Sequence, residues 1–202
     1  MTDPRPRTPS GADAHVPPCA SAHHGVRERS GGELLDLLAA RSVRSFADRA
    51  VERATVAELV EVARRTGSAR NRQPWRFVAV DDRATLQVLA TCGAYAGHLA
   101  TAPCAIVLLS PDDGRRDTEF DLGRVAQSLT LAATAAGLGS CLATFYPDPE
   151  IERAAAVLRL ESGRVPRHAL SLGHPAPPPA AGRPAVPPGR LPTRELLRWH
   201  GP

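Results

Sequence analysis

The chain has 202 residues, 43% hydrophobic and only 4% aromatic, which fits one domain with a core of alanine, valine and leucine. All 25 of its basic residues are arginine, and the lack of lysine excludes chemistry through a lysine Schiff base. The net charge is a modest +4 and no basic stripe is interleaved with aromatic residues, so nucleic-acid binding is not expected.

The cysteines and the apolar runs bear on the compartment. Cys19, Cys92, Cys104 and Cys141 show neither C-x-x-C spacing nor a metal-ligand neighbour, which predicts reduced thiols and no metal site. No apolar run reaches the roughly 18 residues of a membrane-spanning helix. No apolar segment of a secretory signal follows the first arginines. We therefore expect a cytoplasmic protein that contacts no membrane.

A polar tail precedes the first helix. Residues 1–32 contain many Pro, Gly, Ser and His and have no hydrophobic period, which predicts a disordered tail. One domain is then predicted over 33–202. Leucines at four of the positions 34–38 predict a short helix from Glu33 to about Ala40.

The next segment is Arg41-Ser42-Val43-Arg44-Ser45-Phe46. The alternation of Arg41, Val43 and Ser45 with Ser42, Arg44 and Phe46 predicts an extended backbone. Two arginines and a serine close together can form an anion site, because charge and hydroxyl donors combine there. The alternative is a solvated helix end, where arginine favours the helix dipole.

A helix beginning near Arg53 is followed by the polar loop Gly67 to Trp75. Within this loop, Ser68, Asn71 and Gln73 offer hydroxyl and carboxamide groups, which can pair with the carbonyl and N–H groups of a flat heteroaromatic ring. Pro74 predicts extended geometry at the residue before it. The alternative is a plain connector between a helix and a strand.

Four apolar runs of strand length follow, separated by helical patterns and turn residues. The second is apolar almost throughout, which predicts a central position in the sheet. Together they predict an α+β fold with a central mixed β-sheet flanked by helices. The predicted strands are 75–80, 103–109, 140–145 and 168–172.

Two later segments are unusual for a domain of this size. The helix predicted over 119–136 is apolar around most of its circumference, which indicates a central helix or one in a subunit interface. Residues 175–188 are rich in proline and alanine and predict an extended arm that lies along a surface, with a short helix predicted from Thr193 to Trp199.

The usual fingerprints of catalysis are missing from the sequence. There is no G-x-G-x-x-G after a strand, no phosphate-loop lysine, no G-x-S-x-G elbow and no H-E-x-x-H. A cofactor that brings its own chemistry needs only binding and orientation from the protein. No side chain is therefore predicted to be catalytic in its own right.

Five segments, taken in order, resemble the FMN-dependent nitroreductase family. Two positions depart from that pattern: Ala40 stands where the family has an arginine, and Gly67 stands where it has a proline. The matching segments are 40–46, 67–75, the set Asp121, Gly123 and Gln127, Gly137 to Gly139, and Leu172 to Pro175, followed by Arg190.

The resemblance implies one FMN site. Ser42 and Arg190 would hold the phosphate, with Arg41 replacing the arginine that is missing at position 40. Arg44 would lie beside flavin N1 and the 2-carbonyl, where a positive charge stabilises the reduced flavin. The remaining implied cofactor-binding residues are Ser68, Asn71, Gln73, Leu142, Ala143, Thr144 and Gly173.

Two of the implied contacts concern the position of the flavin ring. The backbone of Leu142 to Phe145 would face the ring near N5, with Thr144 closest. Ser68 and Asn71 would reach the flavin from the other subunit, because members of the family are usually homodimers with flavin sites in the interface.

By the same resemblance the protein would be a nitroreductase-type oxidoreductase. NADH or NADPH would deliver hydride to flavin N5, and an electron-poor acceptor such as a nitroaromatic or a quinone would then collect the electrons by a ping-pong mechanism. Two alternatives stay open. One is an FMN-dependent oxidase or dehydrogenase of a peptide azoline or cyclic dipeptide in natural-product biosynthesis; the other is a flavin-binding protein without turnover.

Overall fold

The computed structural model describes residues 31–177 and 189–201. The predicted tail lies outside these ranges except for Gly31 and Gly32, which begin the first helix, and most of the predicted proline-rich arm also lies outside them. The helices are α1 Gly31–Leu38, α2 Arg53–Ala63, α3 Arg83–Leu89, α4 Arg116–Ala135, α5 Asp148–Val157 and α6 Thr193–Leu196. The strands are β1 Arg76–Val80, β2 Cys104–Ser110, β3 Gly139–Thr144 and β4 Val165–Gly173.

The α+β prediction is confirmed, but the prediction of a mixed sheet is wrong for the described residues. The strand order is β1-β2-β4-β3, and each neighbouring pair is antiparallel. The crossover through α4 makes β2 and β3 run in the same direction. The last strand, β4, enters between them and runs against both, so no parallel pair forms.

Helices cover both faces of this sheet. On one face, α2 and α4 pack through residues such as Leu59 and Leu129 against Ile106 of β2. On the other face, α3 and α5 pack against Val107 and the residues beside it. Every residue of β2 is buried, which confirms the predicted central position of this strand.

The long helix α4 begins three residues earlier than predicted and is buried on its sheet-facing side only. Leu122, Val125 and Leu129 enter the core, whereas Gly123 and Gln127 on the far side are exposed in the single chain. No helix among the described residues has both the length and the apolar character needed to cross a membrane.

Candidate functional site

The segment Arg41–Phe46 is extended, as predicted, and lies along the outer edge of β3. The Val43 N–H donates to the Ser140 carbonyl over 2.9 Å, and Phe46 forms an isolated bridge with Pro175. These backbone contacts hold the segment in place. They leave the side chains of Arg41, Ser42 and Arg44 exposed.

Two glycines allow this close approach. A Cβ atom on Gly139 would lie 2.6–2.9 Å from three side-chain atoms of Val43, which is closer than real Cβ contacts allow. A Cβ atom on Gly173 would lie 2.7–2.8 Å from Phe46 and Pro103. Gly173 is therefore needed for packing, whatever its contact with the cofactor.

A cavity of about 440 Å³ lies between this segment, β3 and the second half of α4. Its volume is within the range of small-ligand sites, about 300–1,000 Å³. Of the residues predicted to bind the cofactor, Arg41, Ser42, Leu142 and Arg190 line it together. The cavity thus combines guanidinium and hydroxyl donors with apolar walls.

Three polar residues of α4 also line this cavity: Gln127, Thr130 and Thr134. They recur at helical spacing on one side of the second half of α4. Gln127 belongs to a matched motif but carried no predicted role, and the two threonines were not singled out in the sequence. Their helical spacing was the feature of the sequence that could have identified them as neighbours on one side of α4.

The exposed edge of β3 offers backbone groups beside the cavity. The Ser140 carbonyl points away from β4, since it accepts from Val43. In an antiparallel strand alternate residues point the same way, so the N–H groups of Leu142 and Thr144 also point away from β4. The side chain of Ala143 is buried on the opposite face of the sheet. Leu142 and Thr144 thus direct their N–H groups outward from the edge of the sheet.

The loop from Ser68 to Gln73 adopts an unusual backbone. Arg70, Asn71 and Gln73 have φ values of +52°, +53° and +47°, so the prediction that Gln73 is extended is wrong. Local hydrogen bonds outweigh the influence of Pro74: Gln73 N–H donates to Ser68 Oγ over 2.9 Å, and Gln73 Nε2 donates to Asn71 Oδ1 over 3.0 Å. Left-handed residues of this kind cluster at functional sites.

This loop is attached to the first half of α4. The Ala69 N–H donates to Asp121 Oδ2 over 2.8 Å, and Arg72 forms an ion pair with Asp117 over 2.9 Å. Asp121 and Thr130 are nine residues apart, which is about 14 Å along a helix. Ser68 and Asn71 are therefore not among the residues lining the 440 Å³ cavity of the same chain.

Gln73 instead lines a larger cavity of about 740 Å³ between α2 and β1, near the other edge of the sheet. Apolar residues such as Val56 and Trp75 dominate that cavity. It contains none of the other residues predicted to bind the cofactor. We place the candidate site in the smaller cavity because the two arginines and the β3 edge meet there.

A buried polar pair supports β3 from the opposite face. His98 Nδ1 lies 2.9 Å from Ser171 Oγ, which donates to the Cys141 carbonyl over 3.2 Å. His98 Nδ1 must then carry the proton that it shares with Ser171. Burial lowers the pKa of His98, which favours the neutral ring. Neither residue stood out in the sequence, because their partnership depends on the fold.

The described cysteines, Cys92, Cys104 and Cys141, are free and buried, as predicted for small apolar residues. Burial raises the pKa of Cys104 to about 11, so its thiol stays protonated at neutral pH. Among the residues that the structure describes, no group of three or more His, Cys, Asp or Glu side chains could hold a metal ion.

Comparison with known families identifies the fold. The model of the nitroreductase family matches residues 37–92 and 84–174 of this chain. The chain belongs to the nitroreductase family. The matched ranges contain every predicted cofactor-binding residue except Arg190.

Relatives in the nitroreductase family support the same assignment. A protein of Methanothermobacter thermautotrophicus named "Putative NADH dehydrogenase/NAD(P)H nitroreductase" is 27% identical over 163 residues, covering 79% of this chain and 83% of that protein. A crystal structure of a protein with the same name from Parabacteroides distasonis matches with a TM-score of 0.70 and 27% identity, covering 82% and 97% of the two chains. An "FMN-dependent Nitroreductase" from Clostridium difficile has a TM-score of 0.65 and 25% identity, with coverages of 73% and 90%.

Proposed function

We propose that this nitroreductase-family protein is an FMN-dependent oxidoreductase that moves electrons from NADH or NADPH to a nitroaromatic or quinone acceptor. The observation that carries the proposal is the cavity in which Arg41, Ser42 and Arg190 meet the edge of β3. Guanidinium and hydroxyl donors suit a phosphate, and the leucines beside them suit a flat ring. The name of the C. difficile neighbour agrees with this cofactor.

FMN, when bound, supplies the hydride chemistry, and the chain supplies binding, orientation and charge. Arg41, Ser42 and Arg190 would hold the phosphate. The outward N–H groups of Leu142 and Thr144 would fix the position of the ring edge. Arg44 would place a positive charge beside N1. Donor and acceptor would use the same site in turn, as a ping-pong mechanism requires.

Replacing Arg44 with alanine is expected to lower the two-electron reduction potential of bound FMN by about 30 mV, since about 1.4 kcal/mol of charge stabilisation is lost. The effect is modest because Arg44 is exposed and solvent screens its charge. The potential is measured by anaerobic titration against a reference dye. Arg49→Ala removes a nearby exposed arginine and should leave the potential unchanged. Equal potentials in wild type and Arg44→Ala would mean that Arg44 is not beside N1.

The complete site is proposed to form in a homodimer. Ser68 and Asn71 lie beside a different stretch of α4 from the cavity, and the far side of α4 is exposed in the single chain. Leucines 34, 35 and 38 of α1, together with Val62 of α2, are also more than half exposed, and apolar patches of this kind mark interaction surfaces. We propose that Ser68 and Asn71 of one subunit complete the cavity of the other.

Mixing two variants tests this arrangement. Asn71→Ala and Arg190→Ala are each expected to bind FMN weakly when purified alone. After subunit exchange, half of the dimers are mixed and each mixed dimer carries one site with both native residues, so about a quarter of the sites should recover tight binding. Recovery is read from flavin fluorescence, and light scattering should give about twice the 21.4 kDa chain mass. No recovery in a proven mixed dimer would mean that Asn71 and Arg190 of one site come from the same subunit.

A further inference from the structure

A row of three polar side chains begins at Thr144, on the α4 face of the sheet. Thr144 and His168 are opposite each other in the register of β3 and β4. Thr144 Oγ1 lies 3.1 Å from His168 Nδ1. On the other side of the ring, His168 Nε2 lies 3.9 Å from Glu119 Oε2 of α4. The row therefore connects the exposed end of β3 with a carboxylate.

The charges around the ring are suited to a group that binds and releases a proton. The charged groups facing His168 are Glu119 of α4 and Arg167 of β4, whose Nε lies 3.7 Å from Glu119 Oε1. Asp112, on the loop before α4, contacts Arg167 over 2.7 Å. Burial lowers the pKa of His168, Glu119 raises it, and Arg167 lowers it again; the result is a pKa below the usual value for histidine. Its side chain is 31% exposed, so solvent can recharge the ring.

Thr144 is held in place at the end of β3. It is the residue expected to be closest to flavin N5, and its N–H points away from β4. Gly93 packs so close to the Thr144 carbonyl that an added Cβ atom would overlap this oxygen. The end of β3 is therefore fixed by a second contact, and the Thr144 hydroxyl is held by His168 two residues beyond Leu142, which lines the cavity.

We propose that Thr144, His168 and Glu119 form the path that delivers a proton to the electron acceptor, an inference that rests on the proposed function. A quinone that accepts a hydride becomes an anion and needs one proton. When His168 is charged, its Nδ1–H donates to Thr144 Oγ1, which frees the Thr144 O–H to point towards the acceptor. His168 acts through Thr144, and only Thr144 would touch the acceptor.

The transfer balances as two coupled proton movements. The anionic oxygen of the acceptor takes the Thr144 hydroxyl proton, and the Nδ1 proton of His168 moves to Thr144 Oγ1. One O–H bond forms on the acceptor and one N–H bond breaks on His168, while both electrons have come with the hydride. The ring is left neutral, with its Nε2–H directed towards the Glu119 carboxylate, and it recovers a proton from solvent.

Stopped-flow oxidation of the reduced FMN-loaded protein tests the path with two acceptors. A quinone needs a proton, whereas ferricyanide accepts single electrons and needs none. His168→Gln is expected to lower the ratio of the quinone rate to the ferricyanide rate about tenfold, which is less than the roughly hundredfold or more that is typical of general acid catalysis, since solvent can substitute in part. The wild-type quinone rate should fall as pH rises through the pKa of His168, and His168→Gln should lose this dependence.

Two further variants and one spectroscopic measurement distinguish a loss of proton delivery from a loss of structure. Thr144→Val keeps the branched shape without the hydroxyl and should lower the same ratio, whereas His200→Gln, which changes an exposed C-terminal histidine, should leave it unchanged. In the FMN-free protein, the NMR titration of the His168 ring should move to lower pH in Glu119→Gln. Equal losses with both acceptors, or an unmoved His168 titration, would overturn the path. Failure of the wild-type protein to bind FMN, or to be reduced by NADH or NADPH, would overturn the proposed function and the path with it.

Discussion

Asp121→Ala is expected to lower the free energy of unfolding by about 1–3 kcal/mol, because the half-buried Ala69 N–H loses an ionised acceptor and the half-exposed Arg124 loses its partner. Asp121 is 1% exposed. Its Oδ2 accepts from the Ala69 N–H over 2.8 Å, and its Oδ1 lies 3.4 Å from Arg124 Nη1. This side chain therefore attaches the backbone of the Ser68–Gln73 loop to α4, in addition to the side-chain contact between Arg72 and Asp117.

The same substitution should weaken FMN binding by about tenfold or more, since the loop carries Ser68 and Asn71 and holds three left-handed residues in place. Chemical denaturation measures the first effect and FMN titration the second. Asp117→Ala is the matched control on the same helix. Its carboxylate is 47% exposed and pairs with Arg72, so its loss should cost less than about 1 kcal/mol. Equal losses from both variants would contradict the anchoring role of Asp121.

Gly139→Ala is expected to cost about 1–3 kcal/mol of stability, as overpacking does, and to reduce FMN affinity at least tenfold. The added methyl group would lie 2.6–2.9 Å from the side chain of Val43. The neighbouring residues Arg41 and Ser42 line the cavity, so displacing this segment moves the predicted phosphate ligands away from β3.

A second substitution distinguishes this clash from a general effect of alanine. Val43→Gly removes all three atoms that the new methyl group would meet, so the double variant should recover FMN affinity relative to Gly139→Ala. Gly97→Ala is the control, because no atom lies within 4 Å of the added Cβ and its φ is compatible with alanine. Wild-type affinity in Gly139→Ala would mean that the Arg41–Phe46 segment is not held against β3.

The spacing of apolar residues along the sequence was enough to predict most helices and strands of this fold. The fully apolar run of β2 predicted its central place, and Asp148-Pro149 marked the start of α5. Strand order was not predictable in the same way, since nothing local in β4 indicates that it enters between β2 and β3. The first turn of α4 was missed because Arg116 and its neighbours are polar and have no hydrophobic period.

The candidate site shows the same difference: residues in local motifs could be predicted, whereas contacts that depend on the fold could not. Motif order indicated Arg41, Ser42, Leu142 and Arg190, which one cavity brings together. His168 could not be assigned a role from the sequence, because its meeting with Thr144 depends on the register of β3 and β4.

The most direct test of the central claim is an anaerobic absorbance titration of the protein reconstituted with FMN. We expect yellow protein whose flavin absorbance bleaches with about one equivalent of NADH or NADPH and returns when a quinone is added. Protein that stays colourless with added FMN would contradict the cofactor assignment. Yellow protein that neither nicotinamide bleaches would contradict the direction of electron flow and favour the oxidase or the flavin-binding alternative.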